Sequence, residues 1–158
     1  MKPDKDELEK WHRFFAIENN NNAWELASRS SRTPEESIDM LNAAHASALY
    51  WGKVGTDLHI IRATMLHAEV HALVGCGETS LALSEKVSDY FRNNQADDWE
   101  TALVYTIHAH SAAVAGRQDV YLEHYRAAEH AIEAISDEED RKIVLQTFNQ
   151  VPVPGSDA

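Results

Sequence analysis

The positions of the prolines limit what this chain can fold into more than any other feature. Proline occurs only at positions 3, 34, 152 and 154 of the 158 residues. Because proline lacks a backbone N–H and its ring clashes with the preceding turn, it interrupts helices more strongly than any other residue. From Glu35 to Val151 apolar residues recur at a 3.6-residue spacing, and the alternation typical of strands is absent. The sequence therefore predicts an all-α protein.

Capping and turn signals divide this segment into successive helices. The stretch "TPEE" offers Thr33 as an N-cap, Pro34 as the first helical residue and Glu36 as the third, which has the form of a capping box. Upstream, the asparagine-rich stretch from Asp6 to Ser30 is compatible with one helix or two, so six or seven helices are expected. The tail from about residue 151 is predicted to be non-helical. The further helices are predicted to begin at Pro34, Thr56 or Asp57, Glu78, Asp98, Val120 and after a cap at Ser136, and to end near Gly52 to Gly55, Gly75, Arg92, Gly116 and Ile135.

The acidic composition limits the partners that the protein can bind. Asp and Glu outnumber Lys and Arg by 26 to 14, which gives a formal net charge of −12. A surface of this charge repels phosphate groups, so neither nucleic acid nor an acidic membrane is an expected partner. No segment reaches the roughly 20 apolar residues that span a bilayer, and the N-terminus lacks the apolar core of a signal peptide. We therefore expect a cytoplasmic protein with a single domain over residues 1–158.

An internal repeat relates two parts of the chain at an offset of 41 residues, the difference between positions 67 and 108. Each unit contains a helix, a glycine-containing turn and a second helix, which is the pattern of stacked helical hairpins. The matched positions are His67 with His108, Ala68 with Ala109, Ala72 with Ala113, Gly75 with Gly116 and Glu78 with Asp119.

These two units resemble the tetratricopeptide repeat family over about residues 56–135. In the second unit the aromatic and small positions of the family's second helix fall on Tyr125 and Ala128. The 41-residue spacing is longer than the family's 34, and the closing proline is missing. The resemblance implies antiparallel helical hairpins stacked in a right-handed array. A closed helical bundle is the alternative, because two clear units are fewer than the roughly three that an open array requires.

The resemblance also implies a function and a surface. It suggests a non-enzymatic protein-interaction or scaffold module without a cofactor, which binds a peptide or a helix on its first helices and pairs into a homodimer. An ion pair, a flexible methionine and small residues on this surface suit a peptide better than a polyanion. The family's groove-facing positions fall on Arg62, Met65, Glu69, Ala72, Leu103, Thr106, His110 and Ala113.

Two histidines four residues apart, His67 and His71, support a different hypothesis. Imidazoles at this spacing on a helix can share one metal ion, and His45 or His108 could supply a third ligand from another helix. Three neutral histidines would leave an open coordination position, which suits hydrolytic or transferase chemistry. Packing of the histidines between helices is the preferred interpretation, so the sequence assigns no metal and no catalytic residue.

The four tryptophans, Trp11, Trp24, Trp51 and Trp99, fall at helical phases that predict burial against neighbouring helices; an exposed aromatic docking site is the alternative. Cys76, the single cysteine, is expected as a free thiol in a turn.

Overall fold

The computed structural model describes residues 4–156, which form seven α-helices and no strand within that range. The asparagine-rich stretch lies within one continuous helix, Lys5–Ala27, so the described residues contain seven helices. Within the same range, no helix is long and apolar enough to cross a membrane. The all-α prediction is confirmed. The helices are α1 (Lys5–Ala27), α2 (Pro34–Val54), α3 (Asp57–Leu73), α4 (Gly77–Asn93), α5 (Asp98–Val114), α6 (Gln118–Glu133) and α7 (Glu138–Phe148).

The helix boundaries follow their capping residues. Thr33 and Glu36 form the predicted capping box at the start of α2, where each side chain accepts a hydrogen bond from the other residue's backbone N–H. The cap predicted at Ser136 is wrong, because Asp137 accepts hydrogen bonds from the backbone N–H groups of α7. Ser136 instead donates its own N–H and hydroxyl to the Asp98 carboxylate, at 2.9 and 3.0 Å.

Successive helices pack as antiparallel neighbours in two layers. The pairs α1–α2, α3–α4 and α5–α6 form hairpins. The odd-numbered helices also contact each other in the order α1, α3, α5 and α7, so they form one continuous layer. The even-numbered helices cover its other side, each packed against the helices before and after it. This arrangement is the array of stacked hairpins that the sequence predicts.

The two repeat units end their first helices in the same way. Gly75 and Gly116 have positive φ angles of 80° and 72°, a conformation that glycine adopts without steric cost. After each of them the next backbone N–H reaches back to the helix, from Cys76 to His71 and from Arg117 to Ala112, at 2.8 Å in both cases. The 41-residue repeat therefore corresponds to a repeated turn.

The C-terminal tail connects the two ends of the array. Val151 is buried, and the Tyr121 hydroxyl of α6 donates to the carbonyl of Pro152. The Gln150 side chain donates to the carbonyl of Ala27 at the end of α1, at 2.7 Å. The described part of the tail, residues 151–156, is non-helical, as predicted, and these contacts link it and the preceding Gln150 to α6 and α1.

Candidate functional site

The eight residues predicted to face a ligand differ in their exposure to solvent. Arg62 and Ala113 are partly exposed. The other six are buried between helices of the odd-numbered layer: Met65, Glu69, Ala72, Leu103, Thr106 and His110. Arg62, Met65 and Leu103 line a groove described below, and the other five residues do not line it.

The charged residues of this set pair between α3 and α5. Arg62 donates two hydrogen bonds to the buried Glu100 carboxylate, from Nε at 2.6 Å and from NH2 at 3.2 Å. The hydrogen bond to Glu100 raises the pKa of Arg62, although burial opposes the rise. The guanidinium also lies 5.4 Å from the centre of the Trp99 ring. Arg62 is therefore held between a carboxylate and an aromatic face.

Glu69 and His110 form a second pair across the same interface. The His110 Nδ1 atom lies 3.1 Å from each carboxylate oxygen of Glu69, and both side chains are almost fully buried. Burial lowers the pKa of His110, but the charge and hydrogen bond of Glu69 outweigh burial and raise it. These residues occupy equivalent repeat positions, since 41 residues separate them. They hold α3 against α5 and are not available to a ligand.

An apolar groove of about 460 Å³ lies along the odd-numbered layer. Its floor contains Met65 and Leu103, and Arg62 lies at its edge, so three of the predicted binding residues do meet there. The groove lies between α1 and α7, above α3 and α5. Its lining residues are Asn20, Trp24, Glu25, Ser28, Arg62, Met65, Trp99, Leu103, Ile143, Gln146 and Thr147.

The tryptophans do not share one environment. Trp51 is buried as predicted, whereas Trp11 is half exposed, so the prediction of burial is wrong for Trp11. Trp24 and Trp99 are partly exposed and line the groove from opposite sides of α3. Their positions on α1 and α5 were visible in the sequence, but helical phase alone does not show where a groove opens.

Three histidines form a cluster between α2 and α3. One potential ligand nitrogen from each of His45, His67 and His71 lies within 4.8 Å of the other two. The ring centroids are 4.5 Å apart for His45 and His67, and 4.8 Å apart for His67 and His71. His45 is exposed and the other two are partly buried. The i,i+4 spacing of the sequence thus becomes a three-residue cluster.

Burial sets the protonation of this cluster. Burial, followed by the charges that His45 and His71 carry when protonated, lowers the pKa of His67 to about 4. Burial, followed by His45, also lowers the pKa of His71. Both rings are therefore neutral at pH 7, the state in which imidazole ligates metals.

His108, the other histidine proposed as a third ligand, lies elsewhere. Its ring stacks on His124 at 3.9 Å, and its Nδ1 atom is hydrogen-bonded to Ser88 at 2.8 Å. Burial, followed by the charges of His124 and Arg92, lowers the pKa of His108 to about 4. The α2–α3 cluster therefore takes its third histidine from His45.

Comparison of the chain with protein-family models, with curated proteins and with solved structures finds no match.

Proposed function

We propose that this protein is a non-enzymatic interaction module that binds a peptide segment of a partner protein in the α1/α3/α5/α7 groove. The observation that supports this proposal is the composition of the groove. Its apolar floor of Met65 and Leu103 lies between two partly exposed tryptophans. Aromatic and methionine side chains are enriched where proteins bind apolar anchors of a partner.

The charges around the groove indicate the kind of peptide that fits. Glu25 lines the groove with a 69% exposed side chain that pairs with Arg29 at 2.9 Å, and the whole chain carries a net charge of −12. Arg62, the arginine in the lining, is already paired with Glu100. We therefore expect a peptide with apolar anchor residues and basic neighbours.

A library of random dodecapeptides displayed on phage tests this proposal. Ile143 lines the groove and is 60% exposed, so Ile143→Lys places a charge there without removing a core contact. Ile38 of α2 is 58% exposed and lies outside the groove, so Ile38→Lys is the matched control. We expect enriched peptides with apolar and basic residues, and a loss of affinity of about tenfold or more in Ile143→Lys alone.

The synthetic form of an enriched peptide provides a second measurement. Its binding should change the emission of Trp24 and Trp99, and Trp24→Phe should reduce that change. Peptides that bind equally well to Ile143→Lys and to the native chain would contradict the proposal, as would a library that yields no enriched sequence.

Self-association is a second candidate function with its own observation. Four apolar residues near the start of α1 are exposed and adjacent in space: Leu8, Trp11, Phe14 and Phe15. Trp11 stacks on Phe15 with ring centroids 6.0 Å apart, and Phe15 also contacts Tyr50 of α2. A contiguous apolar surface of this kind suits pairing with the same surface of a second copy.

Sedimentation equilibrium measures this self-association directly. We expect a concentration-dependent dimer that Trp11→Glu abolishes and that Leu49→Glu, an equally exposed change on α2, leaves intact. A native chain that sediments as a monomer at all concentrations would contradict the second candidate and leave the groove proposal unaffected.

A further inference from the structure

The α2–α3 histidine cluster (His45, His67 and His71) contains two buried ring nitrogens without a hydrogen bond. The Nε2 atom of His67 and the Nδ1 atom of His71 are buried, and neither forms a hydrogen bond with any described residue. A buried polar atom without a partner is destabilising, so most such atoms in proteins are paired.

Four histidines outside the cluster each use a ring nitrogen in a hydrogen bond. The partner is a cap residue, a serine, a glutamate or a backbone carbonyl. The pairs are His59 with Thr56, His108 with Ser88, His110 with Glu69 and His124 with Val120. The rings of the cluster pack against one another, with His67 stacked on His71, but this packing leaves the two buried nitrogens without a partner.

We propose that His45, His67 and His71 bind one divalent transition-metal ion, with Zn²⁺ as the ion that the ligand set fits best. Three nitrogen ligands match the first coordination sphere of zinc sites that keep a fourth position open. The cluster contains no carboxylate, so Ca²⁺ and Mg²⁺, which require oxygen ligands, do not fit.

The nitrogens of the cluster must move slightly closer together to bind a zinc ion. Zn–N bonds of about 2.0–2.1 Å in a tetrahedral site place the ligand nitrogens about 3.4 Å apart. The cluster nitrogens lie within 4.8 Å of each other, and the exposed side chain of His45 is free to move toward the two rings on α3. His67 and His71 lie four residues apart on one face of α3, so rotations about side-chain torsions, without movement of the helix backbone, would bring the three nitrogens to zinc-binding distance.

Ion binding has a structural consequence. The ligands come from two helices, since His45 lies on α2 and the other two on α3. An ion bound by all three residues connects the first hairpin of the array to the second. Three protein ligands would leave a fourth coordination position for water or for a ligand atom from solution.

Isothermal titration of ZnCl₂ into chelator-treated protein tests this proposal, using protein purified without a metal-affinity tag. We expect one equivalent of Zn²⁺ with a dissociation constant in the micromolar range or below. Removal of groups that only orient a ligand weakens metal sites by about 10–100-fold. His45→Ala, which removes an exposed ligand, should therefore weaken binding by more than about tenfold. His124→Ala, which removes one ring of the other stacked histidine pair, is the matched control and should leave the affinity unchanged.

Two further readouts make the result decisive. The melting temperature should rise with Zn²⁺ in the native chain and in His124→Ala, but not in His45→Ala or His71→Ala. Cobalt substitution should give the intense visible absorption of a four-coordinate ion. Absence of saturable zinc binding would overturn the proposal, as would zinc binding that His45→Ala does not weaken or that His124→Ala weakens equally.

Discussion

The histidines on the two faces of α3 differ in whether their buried ring nitrogens have hydrogen-bond partners. On the face toward α5, Glu69 of α3 and His110 complete each other's hydrogen bonds inside the core. On the face toward α2, His67 stacks on His71 and meets the edge of His45, yet His67 and His71 each have a buried nitrogen without a protein partner. The first arrangement fixes two helices together, and the second provides free ligand atoms. Side chains of the same type thus serve structure or binding according to whether the fold supplies their partners.

The largest expected effect comes from breaking the paired face. Glu69→Ala leaves a buried histidine without its carboxylate, and loss of one member of a buried pair costs about 3 kcal/mol or more. Urea unfolding measures this loss. Glu78→Ala is the control. It removes an exposed ion pair with Arg117, in which the Glu78 side chain is 76% exposed, and should change stability by less than about 0.5 kcal/mol. Equal effects of the two substitutions would contradict the structural role of Glu69.

The stabilities that the buried residues His108 and His110 contribute should depend on pH with opposite signs. The pKa of His108 is about 4 in the folded state against 6.5 when unfolded, so the unfolded chain binds more protons between these values. The stability that His108 contributes is present above pH 6.5 and is lost as pH falls toward 4, by about 3 kcal/mol. The raised pKa of His110 gives the opposite sign: its contribution is present below pH 6.5 and is lost as pH rises through the folded value.

Unfolding free energies from pH 4.5 to 8, measured for the native chain, His108→Gln and His110→Gln, test these signs. His108→Gln should reduce the loss of stability in acid, and His110→Gln should reduce the loss at higher pH. Identical slopes in all three proteins would contradict both assignments.

Replacement of a histidine by leucine should have different effects on stability at the two faces of α3. His67→Leu removes a buried nitrogen that has no protein partner, so metal-free stability should change by less than about 1 kcal/mol or rise. His110→Leu leaves Glu69 unpaired and should destabilise by about 3 kcal/mol. Thermal unfolding in chelator gives both values. A greater loss in His67→Leu than in His110→Leu would reverse the comparison.

The smallest expected effect is at the exposed member of the cluster. His45→Ala removes a side chain that lies at the surface, so stability in chelator should stay within about 0.5 kcal/mol of the native chain. With Zn²⁺ present the native chain alone should gain stability. A large loss in chelator would show that His45 stabilises the fold without a metal.

Local signals predicted the helices well because they act within a few residues. The capping box at Thr33, the proline at the start of α2 and the glycine turns at Gly75 and Gly116 all lie where the sequence places them. The cap of α7 is Asp137, one residue after the predicted Ser136, because Ser136 donates its hydrogen bonds to Asp98 of α5. Contacts between distant segments, which the local pattern does not contain, account for that difference.

The site was less predictable because it depends on the register between helices. Glu69 and His110 were expected on a ligand-facing surface, but their side chains meet where α3 and α5 touch. The i,i+4 histidines were visible in the sequence, whereas the choice of His45 over His108 depends on how α2 packs against α3. The groove takes residues from four helices, so helical phase within one helix does not reveal it.

The central claim is that α3 carries structural histidine chemistry on one side and metal-ligand chemistry on the other. The most direct measurement is the set of imidazole ¹⁵N chemical shifts of uniformly labelled protein, recorded without metal and with one equivalent of Zn²⁺. We predict that the ring-nitrogen signals of His45, His67 and His71 move to metal-bound values while those of His108, His110 and His124 stay unchanged. Bound zinc that leaves the signals of the cluster in place, or that moves His110 as far as His67, would contradict the claim.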